Sequence, residues 1–363
     1  MKPYVPLPLP PAHLEWEALL DLMGAANRHI ARYDGLLHSV VNPNLLLAPL
    51  RTQEAVLSSK IEGTQATLEQ VMAYEGSPQV PEGPLADIQE VINYRNALTY
   101  ARDQLATLPL SLRLVRNTHR ILLQGTRGAH SDPGNFRRSQ NWIGAPGSTL
   151  ATARFVPPDV PTMQAGLHNW EQYLHYDEKD TMVQLAIVHA QFEILHPFID
   201  GNGRIGRILI PLFLFHKDII HQPVFYMSQY LESNRAAYYD ALKHITDSGS
   251  WTQWIRFFLT GVIQQAKTNT EQLRQITDLY EETKLLIAQT TRSQWAIQCL
   301  DYLFARPIFN TTDFNNSAQV PKTSAARLLK TMEAQGIIAV VNKGAGRSPA
   351  QYAFLPLLHI ING

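Results

Sequence analysis

The 363-residue sequence has almost no cysteine, no charge imbalance and no long apolar run, and each lack excludes something. Cys299 is the only cysteine, which rules out an internal disulfide and a cysteine-built zinc site. A lone thiol also fits a reducing compartment. Lys and Arg number 31, as do Asp and Glu, so the net charge is zero. That argues against a surface built throughout to hold nucleic acid. The longest apolar stretch, Ile205 to Phe215, contains Gly206, Arg207 and Pro211 and falls short of the roughly 18–20 residues of a membrane span. Five prolines interrupt the first eleven residues, unlike the continuous apolar core of a secretory leader. The expectation is a cytoplasmic protein with no membrane partner. No GxxxxGK[ST] occurs, which excludes a P-loop, and no HExxH occurs. Glu193-x-x-His196 has di-iron spacing, but no other histidine has a Glu three residues before it. No fixed-period repeat or low-complexity tract is found.

What is present is ordinary globular composition, 45% hydrophobic and 17% charged, long enough for two or three domains. After a proline-rich arm, residues 13–74 read as helical, with Leu50, Glu54, Leu57, Ser58 and Ile61 on one long segment. Gly63 can end that segment and Thr64 can cap the next helix. The turn-rich stretch Gly76–Pro84 is a boundary, giving an N-terminal helical region over 1–84. Helical pattern resumes from 85. Two short β-like runs, Gln140–Ile143 and Ala153–Val156, flank a Gly/Pro/Ser segment and read as a hairpin with a long tip. Helices return from Thr162, giving a middle domain over 85–262 and a helical linker over 263–290. Residues 291–363 read as three helices and a hairpin, the layout of a winged helix-turn-helix, with seven Lys/Arg against three Asp/Glu. The fold class is mainly α.

The chemistry lies in His196-Pro197-Phe198-Ile199-Asp200-Gly201-Asn202-Gly203-Arg204-Ile205-Gly206-Arg207. Apolar residues at helical spacing precede it, and Pro197 pushes His196 out of the helical region. A second apolar helix comes after it. Gly201 and Gly203 let backbone amides approach a ligand, and the second helix's N-terminus offers unpaired donors to an anion. Arg204 and Arg207 can reach one neighbourhood, Asp200 can hold Mg²⁺ beside phosphates, and His196 can take a proton near neutral pH. This is a kit for phosphoryl or nucleotidyl transfer. The Gly201-x-Gly203-x-x-Gly206 match to a dinucleotide fingerprint fails, because that fingerprint comes after a strand and this one after a helix.

At these residues the sequence resembles the Fic family of protein adenylyltransferases, whose motif HPFx[DE]GNGRxxR is met from His196 to Arg207. The resemblance implies a Fic-type helical core with a β-hairpin flap and AMP transfer from ATP to a Ser, Thr or Tyr hydroxyl of a protein, itself included. His196 would be the general base. Asp200 would hold Mg²⁺, and Gly201, Asn202, Gly203, Arg204 and Arg207 would bind the phosphates. Ile143, Gly144 and Phe155 of the flap would dock the target strand. Tyr238 and Tyr239 fit a place near base or ribose and equally a helix core; Thr246 stands where relatives often carry an Asn. Ser58-Ser59-Lys60-Ile61-Glu62-Gly63 fits the family's inhibitory pattern [ST]xxxE[GN], which implies that Glu62 pairs with Arg207 and blocks productive ATP binding. The resemblance also implies a homodimer. The alternative is a nucleotide-sensing transcriptional regulator binding DNA through 291–363.

Overall fold

A computed structural model describes residues 2–76, 85–144, 147–344 and 349–362. The boundary stretch read at Gly76–Pro84 lies outside the described residues from 77 onward. Two compact units emerge, each from separate stretches of chain: residues 1–35, 57–64 and 93–267 form one, and 36–56, 65–92 and 268–363 the other. Chain order and packing order therefore differ.

The first unit is built around helix Thr181–Leu195, on which nearly every side chain is buried, including Met182, Leu185, Val188 and Phe192. A helix apolar on all sides belongs in a core. Asp180 starts it by accepting from the Val183 amide at 2.9 Å. Helix Val160–Leu174 packs against one side, capped by Asp159 on the Thr162 amide. Helix Asn202–His216 packs against another and is itself almost wholly buried. Two tryptophans lock the centre through their indole N–H groups: Trp170 donates to the Val188 carbonyl and Trp254 to that of Ala186, both at 2.8 Å. Both are fully buried, so each indole N–H needs such a partner.

The expected hairpin is much reduced. Among the described residues its limbs meet at one antiparallel bridge, Ile143 with Phe155, rather than as paired strands. The Trp142 indole N–H closes the tip by donating to the Ser148 carbonyl at 2.9 Å. The glycine- and proline-rich tip has too few alternating residues to extend a ladder.

The expected cap at Thr64 is also corrected. The Thr64 amide closes the preceding helix, donating to the Ser59 carbonyl at 3.1 Å while Gly63 takes a φ of +99°. The helix Leu68–Gly76 is started instead by Thr67. Its hydroxyl accepts from the Gln70 amide, and the Gln70 side chain accepts in return from the Thr67 amide.

In the second unit a three-stranded antiparallel sheet runs in the order Ile308–Asn310, Gln351–Ala353, Ala339–Asn342. Helices Ala296–Ala305, Thr311–Ser317 and Lys322–Ala334 bury Leu303, Phe304, Phe314, Leu328 and Met332. Two features escaped the sequence reading: the short strand Ile308–Asn310, and a final helix, Leu355–Asn362, directly after the last strand. Leu357, Leu358 and Ile361 are the buried residues of that helix. The helix Thr252–Thr291 runs unbroken for 40 residues, the first unit ending at 267 within it. Among the described residues no helix is long and apolar enough to cross a membrane.

Candidate active site

The site sits where helix Thr181–Leu195 ends and helix Asn202–His216 begins. His196 donates its amide to the Phe192 carbonyl, the last bond of the first helix, then turns into the left-handed region at φ 45°. A non-glycine residue there is uncommon and must be held in place. Arg137 does the holding: its Nε donates to the His196 carbonyl at 3.0 Å, and its backbone amide donates to that of Pro197 at 2.9 Å. Its remaining nitrogens donate to the carbonyls of Ser139 and Pro158. Arg137 is 1% exposed, so its charge is spent entirely on carbonyls of this loop and of the flap's base.

The loop after His196 is pinned twice more. The Asn202 side chain both accepts from the Phe198 amide at 2.8 Å and donates to its carbonyl at 2.9 Å, and Asn141 donates to the same carbonyl. His119 accepts from the Gly134 amide at Nδ1, 2.8 Å, so its Nε2 carries the proton donated to the Asp200 carbonyl at 2.9 Å. The Phe198 ring stacks on this imidazole, centroids 3.7 Å apart. Sequence reading missed His119 and did not single out Arg137 or Asn141. Their roles arise from contacts 57 to 81 residues apart in the chain.

The Asp200 carboxylate is half-exposed and accepts from the Gly201 amide at 2.6 Å and from Arg204 at 3.2 Å. Arg207 is fully buried. Its Nε donates to Ser58 Oγ at 2.7 Å, and its Nη2 to the Ser58 carbonyl at 2.9 Å and to Glu62 Oε1 at 2.6 Å. A Cβ on Gly203 would stand 2.2 Å from that Glu62 oxygen, so the carboxylate lies directly on the start of the second helix. Burial alone would raise the Glu62 pKa, but the Arg207 and Arg204 guanidinium groups outweigh it and hold the carboxyl below its usual range. Ser58, Glu62, Gly203 and Arg207 thus come together as one cluster.

A cleft opens beside this cluster between the flap (Ile143, Phe155), the end of the first helix (Glu193, Ile194) and helix Arg235–Ser248 (Tyr239, Leu242, Thr246). Tyr239 lines it. Tyr238 turns into the core and donates its hydroxyl to His189 Nε2 at 3.0 Å, while His189 Nδ1 donates to the Gly206 carbonyl at 3.1 Å. Gly144 adjoins the bridge at Ile143 on the flap.

Protonation states are set by burial. Desolvation pushes His196 and His119 down to about 4 and His189 to about 3, against smaller opposing pulls from nearby carbonyls and carboxylates. Glu193 moves the other way: burial, helped by the Glu62 charge and opposed by Arg207, pushes its carboxyl up to about 8. Between about pH 4.5 and 6.5 the unfolded chain therefore binds up to three histidine protons that the folded chain refuses. The folded chain keeps one proton, on Glu193, that the unfolded chain releases. The net of about two protons makes stability fall with acid by roughly 2–3 kcal/mol per pH unit. From about 6.5 to 8 the sign reverses, since only the Glu193 proton difference remains. Thermal unfolding across pH 5–9 is expected to show a stability maximum near pH 6.5–7, with the alkaline decline removed in Glu193→Gln. A flat profile over that range would contradict these assignments.

Comparison with known proteins identifies the family. The family profile described as Fic/DOC family N-terminal matches residues 20–103, and that described as Fic/DOC family matches 109–214. Protein adenylyltransferase Fic of Drosophila grimshawi is 27% identical over 205 residues, 54% of this chain and 38% of that protein. The Drosophila melanogaster protein of the same name is 26% identical, over 54% of this chain and 37% of its own. The chain thus spans under two-fifths of the length of these relatives. Among solved structures, a Fic family protein from Desulfovibrio desulfuricans G20 shares the fold at a TM-score of 0.63 and 20% identity, over 95% of this chain and 98% of its own. Fic-1 from C. elegans does so at 0.53 and 21%, over 69% and 71%. With both family profiles matched in tandem and the whole of HPFxDGNGRxxR assembled at the turn between two helices, the chain belongs to the Fic/DOC family.

Proposed function

We propose that this chain is a protein adenylyltransferase that moves AMP from ATP to a Ser, Thr or Tyr hydroxyl of a protein, itself included, and that Glu62 restrains it. The observation that carries this reading is the Arg207 cluster: a buried guanidinium beside a helix N-terminus, with its donors taken by Ser58 and Glu62. A polyphosphate needs the same donors.

In this mechanism the neutral His196 imidazole takes the proton of the target hydroxyl. The hydroxyl oxygen forms a bond to the α-phosphorus as the bond from that phosphorus to the β-bridging oxygen breaks, and pyrophosphate leaves. Amides at Gly201, Asn202 and Gly203 and the Arg204 guanidinium stabilise the charge that develops. Asp200 would hold Mg²⁺. A half-exposed carboxylate at a phosphate site suits that ion, which binds through one or two carboxylates plus substrate phosphates. When bound it supplies charge neutralisation. Ile143, Gly144 and Phe155 align the target chain along the flap. Glu62 on Arg207 keeps the outer phosphate from its arginine, so bound ATP is held unreactive.

Glu62→Gly is expected to raise self-labelling by ATP carrying an α-phosphate label by about 10–100-fold, the scale of one charged hydrogen bond. His196→Ala should abolish labelling in either background. Equal labelling of the unmutated chain and His196→Ala would end the assignment.

A second reading, DNA contact through a winged helix-turn-helix in 291–363, is favoured by the charge distribution of that segment. Asp301 accepts from Tyr280, and Asp313 accepts from Tyr302 and pairs with Arg306, so two of the three acids of this segment are taken. Lys322, Arg327 and Lys330 lie exposed along helix Lys322–Ala334 with no ion-pair partner among the described residues. The full chain is expected to bind a mixed-sequence DNA duplex with affinity that falls steeply with salt. Reversing all three charges to Glu should flatten the log–log slope by about 2–3. Absence of duplex binding at low salt, or a slope untouched by the reversal, would remove this reading.

A further inference from the structure

The cleft beside the Arg207 cluster has an apolar wall of Ile143, Phe155, Ile194, Tyr239 and Leu242. An aromatic and aliphatic wall of this kind suits a planar heterocycle. Most of the polar side chains on its rim are already engaged. Arg154 pairs with Asp240 at 2.8 Å, and Lys243 pairs with Asp247. The Thr246 hydroxyl donates to the Lys243 carbonyl at 2.9 Å, leaving it no proton for a ligand. Glu193 differs. Its Oε1 is buried and meets no hydrogen-bond partner. A Cβ at Gly206 would stand 2.2 Å from that oxygen, so the carboxyl fills the space a side chain at 206 would take, and packing fixes it there. With Oε1 shut against Gly206, Oε2 is the oxygen of this cleft-lining residue left to meet a ligand, and it has no hydrogen-bond partner among the described residues.

We propose that the Glu193 carboxyl donates a hydrogen bond to a ring nitrogen of the purine base in this cleft, making it the residue that seats the base. This rests on the nucleotide reading above and deepens it by naming a base contact.

The donor exists only while the carboxyl holds its proton, and burial keeps it protonated up to about pH 8. Once ionised, the group can only accept, and it faces a ring-nitrogen lone pair. The surrounding groups do not blur this. Glu62, held low by Arg207 despite its burial, stays ionised between pH 7 and 9, and Arg207 itself, raised by that carboxylate, stays charged. Tyr238 and Tyr239 are raised by burial and stay neutral, as do His189 and His196, which burial lowers. From the flap and the facing helix, Arg154 and Lys243 are paired outward with Asp240 and Asp247.

The test is equilibrium binding of ATP with Mg²⁺ to the full chain at pH 7 and pH 9. The unmutated chain should lose about tenfold in affinity between them, the change in protonated fraction across a group titrating near 8. Glu193→Gln, whose amide still donates, should bind at pH 7 within about twofold of the unmutated chain and lose this pH dependence. Glu193→Ala should bind about tenfold more weakly at pH 7. ATP affinity that is indifferent to Glu193→Ala, or an identical pH profile in the unmutated chain and Glu193→Gln, overturns the inference alone. No ATP binding by the unmutated chain at pH 7 overturns the nucleotide reading and this contact with it. Should Glu193→Ala not fold, the comparison of the unmutated chain with Glu193→Gln decides.

Discussion

Arg207 is a full positive charge in the middle of an apolar helix, and a guanidinium taken out of water costs several kcal/mol unless acceptors meet it. Of the helix it sits on, Ile205, Ile208 and Leu209 offer nothing. All the acceptors it has come from one short segment, Ser58 through its hydroxyl and carbonyl and Glu62 through its carboxylate. The chain's division fits this: residues 57–64 belong to the same unit as the helices Thr181–Leu195 and Asn202–His216, while 36–56 before them and 65–92 after them belong to the other. The same contacts that stabilise the buried cation also occupy its donors.

Four titratable groups around this ion pair are kept neutral. His119, His189 and His196 are uncharged because burial disfavours the imidazolium, and Glu193 is uncharged because burial disfavours the carboxylate. Each neutral group has a use that its charged form would lose. His119 can accept from Gly134 and donate to Asp200 only as one neutral tautomer. His189 links Tyr238 to the Gly206 carbonyl in the same way. His196 is left able to accept a proton. Keeping these four groups neutral limits the desolvation cost around the Glu62–Arg207 pair.

The motif's helix–loop–helix placement and the juxtaposition of Glu62 with Arg207 were legible in the chain. The first comes from apolar periodicity on both sides of a proline and two glycines. The second comes through the resemblance of Ser58–Gly63 to the family's inhibitory pattern; the spacing by itself only sets Ser58 and Glu62 on one helix face and does not say what they meet. The contacts that pin the loop were not legible. Arg137 reads as one more cation in a turn-rich stretch, and His119 as one more residue on an amphipathic helix. The cap slipped from Thr64 to Thr67 because both sit before a helix, and only hydrogen-bond geometry tells a residue that ends one helix from a residue that begins the next. The flap's pairing shrank to one bridge because short β-like runs do not reveal how far a ladder extends.

Local chemistry along the chain is enough to specify which groups can act: an imidazole at a helix end, amides at a helix start, two arginines and an acid on a separate helix. Those depend on residue type and on spacings of three or four, which the helix repeat converts to geometry without outside help. The state of those groups is another matter. Whether Arg207 is buried, whether Glu193 keeps its proton and which carbonyls Arg137 reaches all depend on desolvation and on contacts across more than fifty residues. Only the packed chain supplies these, because the dielectric around a side chain belongs to its neighbours in space.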